Sequence, residues 1–164
     1  MIVLIPTYKM VPQQVRDSIA SQSVHTCVVE CRGPLNRNRR TGEARSRNGC
    51  VKWVLTHAGQ CGEYVCMQDA DGLHLRQDNL EAAVSFLDSH PSYDAVTLLN
   101  YRKMNSQHLS IRAAVYRVPA FVELVFRSTD GCHCMQVRKS LGARYCALPH
   151  PQPKRISEWR EEVE

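Results

Sequence analysis

The sequence lacks a hydrophobic run long enough to cross a membrane, for which about 20 consecutive apolar residues are needed. Its apolar start, Met1 to Ile5, meets Pro6 far too early for a signal peptide. We therefore expect neither a membrane-spanning segment nor a signal peptide. We therefore expect a cytoplasmic protein.

Paired Cys-x-x-Cys motifs and internal repeats are also absent, although the chain holds 8 cysteines. Without a secretion signal, reduced thiols are expected rather than disulfides. Four of the cysteines lie in strand-like runs and are expected to be small buried hydrophobes: Cys27, Cys31, Cys66 and Cys146. A zinc site is an alternative that the spacings do not favour, with candidate ligands Cys61, Cys66, Cys132, His133 and Cys134.

Length and composition favour one globular domain. The 164 residues are enough for a sizeable core, and 43% hydrophobic with 23% charged residues is ordinary for a globular chain. We expect the domain to cover residues 1–151. Residues 152–164 would form a tail, as a docked or frayed helix.

Short apolar strands alternate with amphipathic helices over the first two thirds of the chain. The expected order is a strand at Ile2 to Ile5, a helix from Val11 to about Gln22, a strand at Thr26 to Cys31, a helix at about Glu43 to Ala58, a strand at Tyr64 to Met67, a helix ending near Ser89, and a strand at Asp94 to Leu99. This alternation predicts an α/β fold with a mostly parallel central sheet and helices on both faces.

The last third is less regular. It predicts one or two strands within Leu109 to Val118, a short helix at Pro119 to Phe126, a helix through Val137 that Gly142 ends, and a strand at Tyr145 to Leu148.

Two acids, Asp69 and Asp71, directly follow the strand Tyr64 to Met67, which is apolar on both faces. In open α/β sheets, ligands bind at the carboxyl ends of the strands. Buried acids are costly unless paired or metal-bound, and carboxylate oxygens suit Mg²⁺ or Mn²⁺. The sequence therefore indicates a metal site. The alternative is a polar turn in which Asp71 or Asp78 caps a helix.

Positive charge is concentrated in one segment, although the net charge is only +5. Its arginines are Arg32, Arg37, Arg39, Arg40, Arg45 and Arg47. Such a cluster is either a solvated loop or a polyanion site. Because Arg45 and Arg47 lie in the first turns of a predicted helix, where anions bind readily, a phosphate site is favoured. No aromatic side chain lies between Arg32 and Arg47 to stack on single-stranded nucleic acid.

Four segments in this order resemble the GT-A glycosyltransferases, most closely those of family 2. They are Ile5-Pro6-Thr7-Tyr8, the segment from Gly42 to Gly49, the segment from Gly62 to Gly72, and Asp130 through Gly142 followed by Arg144 to Pro149. The resemblance implies a single-domain GT-A fold. It also implies transfer of a sugar from a nucleotide diphosphate donor to an acceptor hydroxyl or amine, with Mn²⁺ or Mg²⁺.

The resemblance also implies roles for single residues. Asp71 would bind the metal, and Asp69 would lie beside it in the metal site and contact the ribose or sugar of the donor. His150 is a candidate third ligand, or else a loop residue. The implied contacts of the donor nucleotide are Pro6, Thr7, Tyr8, Glu30 and Arg47.

The general base of an inverting transfer is implied at Asp130. The family has an acidic pair there, whereas this chain has Ser128-Thr129-Asp130-Gly131 with a single acid. Asp130 could instead cap a helix, and Glu123 is the nearest substitute as a base.

The chain is shorter than typical family members on the acceptor side. This predicts either an open acceptor site that suits a macromolecule, such as DNA or protein, or a pocket completed by a second subunit. Nucleotidyl transfer is one competing reading, although the loop after the first strand lacks the expected glycines. A non-catalytic nucleotide or nucleic-acid binding module is another.

Overall fold

The computed structural model describes residues 1–33, 38–99, 113–129, 133–149 and 154–155. The strands are β1 (Ile2–Thr7), β2 (Cys27–Arg32), β3 (Tyr64–Gln68), β4 (Gly72–Leu73), β5 (Ala95–Leu99), β6 (Ala113–Arg117), β7 (Tyr145–Pro149) and β8 (Lys154–Arg155). The helices are α1 (Gln13–Ala20), α2 (Arg39–Thr56), α3 (Asn79–Ser89), α4 (Val118–Phe121) and α5 (His133–Leu141).

The central sheet has 6 strands in the order β2-β1-β3-β6-β5-β7. β1 is parallel to β2 and β3, and β5 is parallel to β7. β6 runs antiparallel to both of its neighbours, β3 and β5. The predicted α/β fold with a mostly parallel sheet is confirmed, with β6 inserted between β3 and β5.

Helices cover both faces of this sheet, and a separate hydrophobic cluster lies under each face. Val15 and Ile19 of α1 and Leu87 of α3 pack with Val3 and Ile5 of β1 on one face. Val54 of α2, Phe121 of α4 and Val137 of α5 pack with Leu4 and Met67 on the other. All residues of β3 are buried, as predicted for a strand covered on both sides.

Helix α2 begins earlier than predicted. The side chain of Asn38 accepts a hydrogen bond from the Thr41 amide at 3.3 Å and so caps the helix. Arg39 and Arg40 therefore belong to the first turn of α2 rather than to a loop.

The apolar residues of α2 do not all face the sheet. Ala44, Cys50, Val51 and Val54 are buried, whereas Leu55 is 59% exposed. One residue rotates a helix by about 100°, so the row that contains Val54 faces the sheet and Leu55 points away from it.

The cysteines divide between buried and accessible positions. Cys31 and Cys66 are buried as predicted, but Cys27 is exposed and Cys146 is half-buried. Cys27 opens β2, which is an edge strand of the sheet, and this explains its exposure. Every cysteine that the structure describes is a free thiol.

The tail differs from the predicted helix where it is described. Lys154 and Arg155 form β8, which pairs antiparallel with β4 so that Arg155 lies opposite Gly72. Asp130, His150 and the strand predicted over residues 109–112 lie outside the described residues. Within the parts of the chain that are described, no helix is both long and apolar enough to span a bilayer.

Candidate functional site

The carboxyl ends of β1, β2 and β3 lie at one edge of the sheet, because these strands are parallel. Thr7 pairs with Arg32 at this edge, and Gln68 ends β3 there. The loops that begin at Tyr8, Gly33 and Asp69 therefore start side by side. This is the edge where open α/β sheets bind ligands.

The loop after β3 carries both acids of the Asp-x-Asp motif in a tight turn. The Gly72 amide donates to the Asp69 carbonyl at 3.1 Å. Asp71 is only 3% exposed, and Asp69 is half-buried. A carboxylate this far from water requires stabilising partners or a cation.

The alternative interpretation, in which Asp71 or Asp78 caps a helix, gains no support from the side-chain contacts of α3. The N-cap residue of α3 is Asp78, and its side chain makes no capping hydrogen bond. Asp78 instead accepts two hydrogen bonds from the Arg76 guanidinium, at 2.8 and 2.6 Å.

A chain of hydrogen-bonded buried side chains ends on the backbone of the Asp-x-Asp turn. Gln68 Nε2 donates to the Gly72 carbonyl at 2.6 Å, and Gln68 Oε1 lies 2.7 Å from His74 Nε2. His74 Nδ1 lies 3.0 Å from Asn79 Nδ2. Burial lowers the pKa of His74 to about 4, so the imidazole is neutral near pH 7. We call these three residues, Gln68, His74 and Asn79, the amide–imidazole relay.

A second set of contacts joins the end of β1 to α2. The Thr7 carbonyl accepts from the Gly33 amide at 2.8 Å and from Ser46 Oγ at 3.4 Å. A Cβ atom at Gly33 would lie 2.2 Å from Ser46 Oγ, so any other residue at this position would force the Ser46 side chain to move. The close approach holds the first turns of α2 against the start of the loop after Thr7.

Arg47 follows Ser46 in α2 and carries a mostly buried positive charge. Its side chain is 12% exposed, and its Nη1 lies 3.5 Å from Glu43 Oε2. Its Nε atom is buried and has no hydrogen-bond partner among the described residues. The pKa of Tyr116 is raised well above its usual value, mainly by burial, and Arg47 opposes this shift while Asp69 adds to it. Arg47 and Asp69 therefore act on the same buried hydroxyl.

The carboxylate of Glu30 is already engaged. Its Oε1 accepts from the Arg16 guanidinium and from the Val11 amide, and its Oε2 accepts from Arg32 at 3.0 Å. These contacts tie β2 to the loop before α1. A contact between Glu30 and a nucleotide stays a prediction, and it would add to this structural role.

The segment that leads to Asp130 is held by two side-chain amides. Asn48 Nδ2 donates to the Phe126 carbonyl and Asn48 Oδ1 accepts from the Phe126 amide, both at 2.8 Å. Gln136 Oε1 accepts from the Arg127 amide at 2.7 Å. Helix α4 ends at Phe121, with Val122 as its C-cap, rather than at Phe126 as predicted. Phe126 belongs to no helix or strand.

Glu123, the substitute candidate for the base, does not lie at this edge. It is exposed and pairs with Arg144, which also contacts Asp94. Arg144 and Asp94 directly precede β7 and β5, so they lie where these strands begin. Glu123 is therefore at the opposite edge of the sheet from Asp69 and Asp71.

The zinc alternative gains no support. Among the residues that the structure describes, no three His, Cys, Asp or Glu side chains come together as a metal-binding group. Cys61 precedes β3, while Cys66 lies in its middle. Cys132 and the side chains of His133 and Cys134 are outside the described parts.

No protein-family model and no curated protein matches the chain, but solved structures do. The mannosyltransferase PcManGT from Pyrobaculum calidifontis, in complex with GDP-Man and Mn²⁺, superposes with a TM-score of 0.61 at 17% identity. S. aureus TarS 1-349 superposes with a TM-score of 0.60 at 18% identity. The chain has the GT-A fold.

The matches cover more of this chain than of its neighbours. The aligned region covers 92% of this chain and 56% of PcManGT, and 93% of this chain and 58% of TarS 1-349. The GT-A fold of this chain thus spans less than two thirds of either neighbour. A cytidylyltransferase from Leptospira borgpetersenii also superposes, with a TM-score of 0.58 at 9% identity, over 94% of this chain and 77% of its own.

Several residues at this edge of the GT-A fold were not expected from the sequence. They are Ser46, Asn48, Gln68, His74, Asn79 and Gln136. Asn48 belongs to a segment that carried the family resemblance, and Gln68 is a polar residue that ends an apolar strand, so each left a weak signal. His74, Asn79 and Gln136 left none, because their partners are distant in the chain or lie across a turn.

Proposed function

We propose that this protein is a metal-dependent glycosyltransferase that moves a sugar from a nucleotide diphosphate donor to an acceptor hydroxyl or amine. The observation that carries the proposal is the buried Asp71 beside the half-buried Asp69, at the carboxyl end of β3 in a GT-A fold. The fold alone is shared with nucleotidyltransferases. The loop after β1 lacks the glycines expected of a nucleotidyltransferase, and this favours sugar transfer.

The residues of the turn fit a divalent cation. Carboxylate oxygens are the ligands that Mg²⁺ and Mn²⁺ prefer, and these ions keep open positions for phosphate oxygens. Asp71 and Asp69 would hold the ion, with His150 as a third ligand. When bound, the ion would stabilise the negative charge that develops on the departing nucleoside diphosphate.

Positive charge on α2 supplies the second part of this stabilisation. The Arg47 side chain is mostly buried, and its Nε atom has no hydrogen-bond partner among the described residues. A preorganised cation in a site of low dielectric is worth more than the same charge in water. We infer that Arg47 contacts the diphosphate.

Pro6, Thr7, Tyr8 and Glu30 would surround the nucleoside. Pro6 and Thr7 end β1, and Tyr8 is partly exposed directly after them, so its ring is available to a base. Glu30 would reach the base or ribose while Arg16 and Arg32 hold its carboxylate in place.

Inversion at the sugar carbon requires a base that takes the proton from the acceptor. We propose Asp130 for this role. Asn48 and Gln136 hold the backbone of Phe126 and Arg127, which come shortly before Asp130 in the sequence.

The first test of the proposal is thermal stability with UDP-, GDP-, dTDP- and CMP-sugars, each with Mn²⁺, with Mg²⁺ and with EDTA. A ligand at a hundred times its Kd adds about 2.7 kcal/mol to the free energy of unfolding. We expect one nucleotide to raise Tm by several degrees with the metal and not with EDTA. Asp71→Asn should lose this response because the change removes a ligand charge and keeps the side-chain volume.

Asp78→Asn is the matched control, since Asp78 lies on the next loop and pairs with Arg76. It should keep the full response to metal and nucleotide. An Asp71→Asn variant that responds as the wild type does would rule out the metal assignment. A wild type that responds to no nucleotide would favour a non-catalytic binding module.

Nucleotidyl transfer is the second candidate, favoured by the match to the cytidylyltransferase. The two reactions release different products. A nucleotidyltransferase joins a nucleoside triphosphate to a phosphorylated acceptor and releases pyrophosphate, whereas a glycosyltransferase consumes a nucleotide sugar and releases a nucleoside diphosphate. Product analysis with both donor types separates them.

The acceptor is proposed at the level of class only: a saccharide, a protein or DNA. A DNA acceptor would use the basic face of α2, and binding through phosphate contacts weakens steeply with salt. If DNA is the acceptor, turnover on DNA should fall steeply as the salt concentration rises. Turnover on a neutral saccharide should depend much less on salt. A cytoplasmic location and a homo-oligomer that completes the acceptor pocket stay predictions.

A further inference from the structure

We propose that the amide–imidazole relay (Gln68, His74 and Asn79) positions the Asp-x-Asp turn, and so sets the geometry with which Asp69 and Asp71 hold a divalent cation. The inference rests on the proposed function, because it concerns the metal site of that function. None of the three side chains would touch the metal. Each acts through the turn, so they are positioning residues.

The direction of every hydrogen bond in the relay follows from the group at its end, the Gly72 carbonyl. The Gly72 carbonyl only accepts, so Gln68 must present its NH₂ group to it. The Gln68 oxygen then faces His74, which must carry its proton on Nε2. His74 Nδ1 is left as the acceptor for the Asn79 amide. A single arrangement of donors and acceptors satisfies all three contacts.

The relay links the two ends of the Asp-x-Asp turn. Gln68 directly precedes Asp69, and its side chain bonds the carbonyl of Gly72, which directly follows Asp71. The backbone of Gln68 is held in β3 opposite Ala113 of β6. Gly72 is held in β4 opposite Arg155 of β8. Asp69 and Asp71 therefore lie between two residues, Gln68 and Gly72, whose backbones are held by strand pairing.

The far end of the relay is anchored in two helices. Asn79 is the first residue of α3, and the His74 amide donates to Ser18 Oγ of α1 at 3.3 Å. Movement of the turn would therefore require movement against both helices on that face of the sheet.

Burial makes the arrangement sensitive to change. Gln68 is 1% exposed, His74 7% and Asn79 0%. When a buried polar group loses its hydrogen-bond partner, the free energy of unfolding falls by more than the hydrogen bond contributed. Apolar side chains of the same shape would not carry this penalty. The polar relay ends on the carbonyl beside Asp71. In characterised metal sites, groups that orient the ligands change metal affinity about 10–100-fold when they are removed.

The test measures Mn²⁺ binding alone, by titration with electron paramagnetic resonance detection of the free ion, well below the Tm of each variant. His74→Phe keeps a planar ring and removes both nitrogens. We expect it to weaken Mn²⁺ binding about 10–100-fold, as loss of a ligand-orienting group does. Gln68→Met keeps the length of the side chain, removes the bond to Gly72 and should give a similar loss.

Tyr64→Phe is the matched control. Tyr64 lies at the other end of the same strand, and its hydroxyl is hydrogen-bonded to Asp88 and Arg117. The change removes buried hydrogen bonds and lowers stability without touching the turn. We expect its Mn²⁺ affinity to equal that of the wild type, which separates positioning from general destabilisation.

The possible outcomes distinguish failure of the relay proposal from failure of the proposed metal site. If the wild type binds Mn²⁺ and His74→Phe binds it equally well, the relay proposal is overturned while the proposed function stands. If the wild type binds no better than Asp71→Asn, the proposed metal site fails, and this inference fails with it. Should His74→Phe not fold, Gln68→Met provides the same test.

Discussion

Gly33 has almost no freedom to change, because its position lies against the side chain of Ser46. A Cβ atom there would also lie 3.3 Å from Ser46 Cβ, in addition to the overlap with Ser46 Oγ. Ser46 would have to rotate and give up its bond to the Thr7 carbonyl. We expect Gly33→Ala to lower the free energy of unfolding by about 1–3 kcal/mol, as overpacking does.

Urea unfolding of Gly33→Ala measures this loss. The double variant with Ser46→Ala should recover part of it, because the overlapping oxygen is gone and the two changes are coupled. Gly59→Ala is the control, since nothing lies within 4 Å of a Cβ at Gly59. If Gly33→Ala is as stable as Gly59→Ala, the close approach does not constrain the fold.

His74 makes stability depend on pH. Its pKa is lowered to about 4 in the folded protein, from the ordinary value of 6.5, because burial disfavours the charged ring. The unfolded chain thus binds a proton more readily than the folded one. Stability is unaffected above pH 6.5, falls as the pH drops from 6.5 to 4, and is lower by about 3 kcal/mol below that.

Urea unfolding at a series of pH values checks this, with His74→Phe as the reference that cannot titrate. The difference in the free energy of unfolding between the two proteins should shrink as the pH falls through this window. A difference that stays constant from pH 7 to pH 4 would contradict the burial of a neutral imidazole.

At the scale of elements, α2 does more than cover the sheet. The Asn48 side chain projects from α2 and hydrogen-bonds both the carbonyl and the amide of Phe126. This connects α2 to the segment before Asp130. Arg47, the proposed contact of the donor diphosphate, lies one position earlier in α2. One turn of α2 therefore carries both a residue of the proposed donor site and the residue that holds Phe126.

Asn48→Ala should separate these two roles. It leaves two backbone groups of Phe126 without their partner, and we expect a loss of about 1–3 kcal/mol in stability. Turnover should fall much more than donor affinity, because the donor site keeps its residues. Asp130→Asn should show the same split, without the loss of stability. Equal losses of turnover and donor affinity in Asp130→Asn would point to a capping role for Asp130.

At the scale of the whole molecule, two hydrophobic clusters lie on opposite faces of one sheet. β3 contributes side chains to both of them, so they should unfold together. Leu87→Ala on one face should cost about 2–5 kcal/mol and Phe121→Ala on the other about 3–5 kcal/mol, as buried truncations do.

Thermal unfolding followed by far-UV and near-UV circular dichroism tests this. We expect one coincident transition in the wild type and in each variant. Two separated transitions in either variant would mean that the faces are independent units.

Much of the fold was predictable, because it depends on local patterns. The period of apolar residues predicted β1, β3, β5 and α3 closely, and the apolar run before Asp69 predicted a strand buried on both faces. The bounds of α2 were missed, because the cap at Asn38 is a single hydrogen bond within a run of arginines. The outcome for Asp130 and His150 stays open, since both lie outside the described residues.

The candidate site was predictable only in part. Asp69 and Asp71 follow a strand in the sequence, so their place at a strand end required no tertiary information. The engagement of Glu30 by Arg16 and the position of Glu123 at the opposite edge depend on residues far apart in the chain. The relay depends on side-chain directions within a turn, which no periodic pattern encodes.

The sequence by itself determined the order of strands and helices, the α/β class and the acids that follow β3, because each rests on contacts between residues near in the chain. Only the tertiary structure decided that β6 enters the sheet antiparallel between β3 and β5, and that β8 pairs with β4 beside Asp71. The physical reason is that strand pairing and buried hydrogen bonds join distant residues. Such contacts are selected by the packing of the whole chain and not by local preference.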